Sequence, residues 1–288
     1  MSWFRVAGLS AIFLLALSLR APAIAAPPMR IVSLAPSVTE TLFALGAGPD
    51  VVGVSQYCDY PAEVRKLPRV GSFLTPNLEA IIALRPTLVI GLGLSSDQRE
   101  LHALTAMGYP LLLVSDASLD EIENSIGEVG ARIGRPREAR VLAAQIRAQI
   151  AEVSERLSSA STVRALMLVG HQPIVAVGRG TFLNQLLQLA RADNIAAVSG
   201  QEWPQLSIEY IIAMRPQVIL DGSMGNDPTS PSKFWESYRT IPAVSDHRVF
   251  GYPQDPILHS GPRVGRSLEI LARMIHPEAW RGVAESGK

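Results

Sequence analysis

Two glutamates stand at matching points of a repeated phrase. "NLEAIIALRPTLVI" begins at Asn77 and "SIEYIIAMRPQVIL" at Ser207, so Glu79 recurs as Glu209, 130 positions later. No solenoid repeat has so long a period; the spacing is that of a whole lobe. An acid in the first turn of a helix stabilises it by ~0.3–1 kcal/mol through the helix dipole and needs no other purpose. Two acids at the same place in two lobes suggest more. Straddling a cleft, they would form a two-point anionic dock for a partner with paired cations.

Other chemistry is sparse. The chain has no Gly-x-Ser-x-Gly elbow, no Walker loop with its Lys and no His-Glu-x-x-His helix. The Gly-x-Gly fragment in "VGRGTFLN" lacks a third glycine and a downstream acid for a ribose. An enzyme is therefore disfavoured. His102, His171, His247, His259 and His276 are the only histidines, a thin supply for the three or four converging donors of a bare zinc or manganese site. Cys58 is the only cysteine, so neither an internal disulfide nor a thiolate metal site is available. It is expected to pack as a small neutral hydrophobe.

The elements that must position these residues follow from composition and pattern. Arg5, the apolar run Ala7 to Leu19 and the small-residue stretch Ala23 to Ala26 predict a cleavable secretory leader over residues 1–26. No cysteine ends that run, so a soluble periplasmic protein is expected rather than a lipid-anchored one. Over the whole chain 26 Lys and Arg balance 26 Asp and Glu, which argues against nucleic acid as a partner.

Beyond the leader, short apolar strands alternate with helices. Ile31 to Leu34 read as a strand, and the Ser37-x-x-Glu40 spacing predicts a capping box that opens a helix ending at Gly46 or Gly48. "VVGVS", "TLVIGL" and "PLLLVS" read as further strands, apolar on both faces as in a parallel sheet covered by helices. Residues 27–135 thus form one α/β lobe. From Pro136 the chain runs to about Ser158 with no glycine and no internal proline, and Leu142, Ile146, Ile150, Val153 and Leu157 fall on one helical face. A single linking helix over 136–160 is expected, followed by a second α/β lobe over 161–288. One unbroken helix resists bending, so only small lobe motions are expected.

Several stretches resemble one family. "RIVSLAPSVTETLFALG", "VGVSQYCDYP", "LPRVGSF", both copies of the repeated phrase, "WPQLS" and the terminal "GPR" are similar to the helical-backbone periplasmic binding proteins of ABC importers. That group handles cobalamin, ferric siderophores and haem, and "SQYCDYP" and "WPQLS" are closest to the cobalamin-binding members. The resemblance implies the class III architecture of two α/β lobes on one long helix, acting as a monomer without a catalytic cofactor. It implies a metal-complex ligand, cobalamin first, with a ferric chelate or haem as alternatives. It also implies that Glu79 and Glu209 dock the permease dimer in the inner membrane.

Corrins and porphyrins are wide, flat and apolar, so aromatic side chains should line the cleft. Tyr57, Phe73 and Trp203 sit on loops at strand ends, and by similarity face the ligand. Asp255 matches a family aspartate that accepts hydrogen bonds from ligand amides. His259 stands where similar cobalamin binders carry a basic residue, a departure that leaves it free to hydrogen-bond or, like His171, to approach a metal axially. Phe73 occupies the loop where haem-binding relatives often place a tyrosine ligand, and phenylalanine cannot hold iron.

Overall fold

The repeated phrase folds the same way twice. The computed structural model describes residues 28–72, 74–93, 99–222 and 233–281. Within it, Asn77 Oδ1 accepts the Ala80 amide (3.0 Å) and opens α2 (Leu78–Ala83), while Ser207 Oγ accepts the Tyr210 amide (3.2 Å) and opens α7 (Ile208–Met214). Each helix ends on an arginine with positive φ, 47° at Arg85 and 49° at Arg215, just ahead of a proline. That left-handed residue turns the chain straight into β3 (Leu88–Leu92) or β8 (Val218–Asp221).

In the first half, β1 (Ile31–Ser33), β2 (Val51–Val54), β3 and β4 (Leu111–Val114) form a wholly parallel sheet in the order β2-β1-β3-β4. Helices α1 (Pro36–Ala44), α2, α3 (Arg99–Ala106) and α4 (Leu119–Arg132) connect and cover it. In the second half, β5 (Val163–His171), β6 (Ile174–Ala176), β7 (Ala192–Asn194), β8 and β9 (Val249–Gly251) form one sheet, parallel except for the β5–β6 hairpin. That hairpin holds His171 at the end of β5. Helices α6 (Phe182–Leu189), α7, α8 (Pro242–Ser245), the short α9 (Gln254–Ile257) and α10 (Val264–Ile275) complete this half. None of the described helices is long and apolar enough to cross a membrane.

Between the sheets runs α5 (Pro136–Arg156), whose 21 residues at ~1.5 Å each span about 30 Å. It is no bare rod, for it packs against both α4 and α10. A Cβ built on Gly130 of α4 would lie 2.4 Å from Ala139 Cβ, so only glycine permits that approach. Ala139 and Ala143 are buried beside Ile146, Val153 and Leu157, whereas Leu142 and Ile150 are half-buried, so the covered stripe is broader than the sequence periodicity implies.

Strand alternation divides the apolar side chains into three groups. Val32 and Val89 face an outer cluster with Ile81, Leu101 and Leu104; Leu166, Leu168 and Ile219 face another around Trp235. Their strand neighbours Ile31, Leu88, Ile90, Ala165, Met167 and Leu220 belong to one inner core that passes through α5. The two sheets therefore share a core.

Candidate ligand cleft

Ligands of open α/β sheets gather at the carboxyl ends of the strands. There, Ala35 and Ser37 follow β1, Leu92 ends β3, Asp116 follows β4 and Tyr57 follows β2; with Leu258, His259 and Ser260 from beyond α9 they line a cavity of ≈270 Å³. The cavity draws its walls from both halves of the chain. Whole small-molecule sites usually occupy about 300–1,000 Å³, so this cavity lies just below that range.

Two polar clusters tie the halves together beside it. In the first, Asp116 Oδ2 accepts a hydrogen bond from Ser37 Oγ at 3.0 Å and another from Ser260 Oγ at 2.5 Å. Burial pushes the Asp116 carboxyl up and the nearby Glu121 charge adds to this, while the two serine hydroxyls hold it back. In the second, Arg263 grips Glu40 through Nε–Oε2 at 2.7 Å and Nη2–Oε1 at 2.5 Å, and reaches Asp255 Oδ1 at 2.5 Å. Its guanidinium lies 4.0 Å from the Tyr60 ring centroid, a cation–π contact. Burial works against the arginine's charge, but the bonds and charges of Glu40 and Asp255 outweigh it and push its pKa higher still.

This geometry overturns the capping box. Ala35 is the N-cap of α1, no side chain caps it, and Pro36 starts the helix. Ser37 and Glu40 have the spacing of a box, yet their side chains serve partners 79 and 223 positions away. The C-terminal expectation holds: Gly46 follows the helix at φ 77°.

Of the expected ligand residues, Tyr57 and His259 meet at one cavity. Tyr57 is half-exposed at 51%, a large ring open to solvent. His259 Nδ1 lies 3.1 Å from both Glu40 Oε1 and Asp255 Oδ1. Those three donors fall within 4.8 Å of one another, close enough for a metal ion, but the Arg263 cation already sits on both carboxylates. Asp255 is committed to that ion pair and does not line the cavity. Trp203 is exposed on its loop and lies outside the cavity wall. Phe73 and the leader fall outside the described residues.

His171 belongs to a separate network. Its Nε2 pairs with Asp221 Oδ2 at 2.8 Å, its ring stacks on Phe234 at 4.3 Å, and Trp235 Nε1 donates to the same Asp221 oxygen at 2.7 Å. Glu79 and Glu209 are both exposed in the first turns of their helices, and each helix leads into the strand beside the first strand of its half. Cys58 is buried between the Thr39 and Ser55 hydroxyls, and burial pushes its thiol up.

Glu40, Asp116 and Ser260 emerge as site residues only from coordinates, whereas Arg263 stands in the "GPR" of the sequence as a scattered candidate cation. One signal was available for Asp116: a polar "SD" directly after the apolar run "LLLV" marks a carboxyl strand end.

Comparison with known proteins agrees with this architecture. The profile of the family described as "Periplasmic binding protein" matches residues 31–256. A vitamin B12-binding protein of Pectobacterium atrosepticum is 32% identical over 242 residues, covering 82% of this chain and 85% of that protein. Among solved structures, the periplasmic haem-binding protein RhuT from Roseiflexus sp. RS-1 in apo form superposes with TM-score 0.76 at 31% identity, covering 88% of this chain and 100% of that one. The periplasmic vitamin B12 binding protein BtuF of Vibrio cholerae superposes with TM-score 0.77 at 28% identity, covering 88% and 98%.

Proposed function

We propose that this chain, which belongs to the periplasmic binding protein family, captures cobalamin or a related corrinoid between its two halves and delivers it to the permease dimer of an ABC importer. The observation that supports this most is the cavity at the strand ends, walled by both halves, with the Tyr57 ring open beside it. The curated relatives named for vitamin B12 binding point the same way. In this reading Tyr57 and His259 contact the ligand directly, while Trp203 and, by the family resemblance, Phe73 add aromatic surface. Asp255 holds Arg263 and His259 in place, and Glu79 and Glu209 meet the permease. The protein works as a periplasmic monomer, after loss of its leader, and returns the ligand chemically unchanged.

Titration of the purified protein with cyanocobalamin should give one tight site per chain and no change in the ligand's spectrum over hours. Replacing Tyr57 by Ala should weaken binding about 10-fold, the scale of one lost aromatic contact. No detectable cobalamin binding would overturn the reading.

A second reading, haem, has its own support: the 31% identity to the haem-binding protein, and the His171–Asp221 pair. A carboxylate that holds an imidazole in place is the usual outer partner of a metal-bound histidine. Protein purified from its native periplasm separates the two, since a corrinoid and a haem absorb at different wavelengths.

A further inference from the structure

The Asp116 carboxyl is an odd thing to keep at a cavity between two halves. Both of its hydrogen bonds, from Ser37 and Ser260, fall on Oδ2; among the described residues none falls on Oδ1. That second oxygen belongs to a residue that lines the cavity. Among the described residues no basic side chain pairs with it, in contrast to Glu40 and Asp255, which share Arg263. A partly buried acid with one oxygen fixed and one offered is arranged to accept a hydrogen bond from whatever occupies the cavity.

The same arrangement disfavours anions. An entering carboxylate would meet Asp116 across a few ångströms of partly desolvated space, with no cation assigned to that spot. Cobalamin carries neutral carboxamides on its rim, whereas haem carries propionates. We propose that Asp116 reads the rim of the ligand, accepting a bond from a carboxamide N–H and excluding a ring that presents a carboxylate there. Ser37 and Ser260, one from each half, hold the acid in the reading position. This rests on the corrinoid reading above and names the group that selects within it.

Stability supports a functional purpose. Burial raises the folded-state pKa of Asp116 above its ordinary value. A raised acid contributes stability below its unfolded pKa and loses it as pH rises through the folded pKa. Above that folded-state pKa the carboxylate charge does not help the fold, and the neutral isostere Asn, whose amide oxygen can still accept from both serines, should melt no lower than the wild type.

The experiment compares cyanocobalamin with its monocarboxylates, each with one rim amide hydrolysed, on wild type and Asp116→Asn, by calorimetry near pH 7.5. Wild type should disfavour at least one monocarboxylate by on the order of 10- to 100-fold, the scale of one charge-assisted hydrogen bond. In Asp116→Asn that preference should fall to about 2-fold or less at an unchanged or higher melting temperature. If wild type binds cobalamin but the variant keeps the same preference, or wild type shows none, the assignment of Asp116 is overturned and the corrinoid reading stands. If wild type binds no cobalamin, both are overturned.

Discussion

Arg263→Ala should lower the melting temperature by roughly 10 °C. The side chain of Glu40 is 2% exposed and its two oxygens are held by Arg263, with His259 as the other neighbour. Removing one partner of a buried ion pair leaves the other as an uncompensated buried charge, which typically costs about 3–5 kcal/mol. For a chain of this size each kcal/mol moves the midpoint by roughly 2–4 °C. Asp255 is 39% exposed and can be rehydrated, so it should add little. The diagnostic control is the double variant Glu40→Gln with Arg263→Met, which removes both charges and should recover much of the loss. Calorimetry of the three proteins checks this. A single variant as stable as wild type would show that the pair contributes nothing, and a double variant worse than the single would shift the cause from charge to packing.

Replacing both Glu79 and Glu209 by Ala should abolish uptake while leaving capture intact. Both acids are exposed, and neither lines the ≈270 Å³ cavity, so cobalamin affinity should stay within about 2-fold of wild type. Each loses a first-turn charge worth ~0.3–1 kcal/mol to its own helix, and Asn77 and Ser207 still cap those helices, so the fold should persist. A lost charge-assisted contact costs about 1.5–3 kcal/mol, so losing two should weaken docking by roughly 100-fold or more. Transport of labelled cobalamin into vesicles carrying the importer measures the effect, with the single variants expected between the extremes. Normal transport by the double variant would leave the matched acids with only their helix-dipole purpose.

Where local chemistry decides structure, the sequence was a good guide. The repeated phrase announces its own cap, first-turn acid and terminal Arg-Pro, and both copies fold accordingly. The run from Pro136 contains nothing that breaks a helix, and α5 follows it. Where distant residues decide, local pattern misleads. Ser37 and Glu40 have the spacing of a capping box, but Asp116 and Arg263 take their side chains instead. Helix α4 is hard to read because Gly127 and Gly130 interrupt it, and Gly130 is explained only by the approach of Ala139. Strands β6 and β7 have three residues each and exist because β5 is there to pair with them. The site shows the same division. Tyr57 can be placed from a strand end and His259 from the family resemblance, whereas the ion pair of Glu40 with Arg263 joins residues more than two hundred positions apart.

The packing of α5 between α4 and α10 has a thermodynamic meaning. A boundary drawn near residue 160 separates two topologies, since each sheet is complete on its own side. It does not separate two apolar cores. The inner apolar core includes side chains from β1, β3, α5, β5 and β8 together, so each half stands on a surface furnished by the other. Loss of order in either half would expose apolar surface that the other now covers.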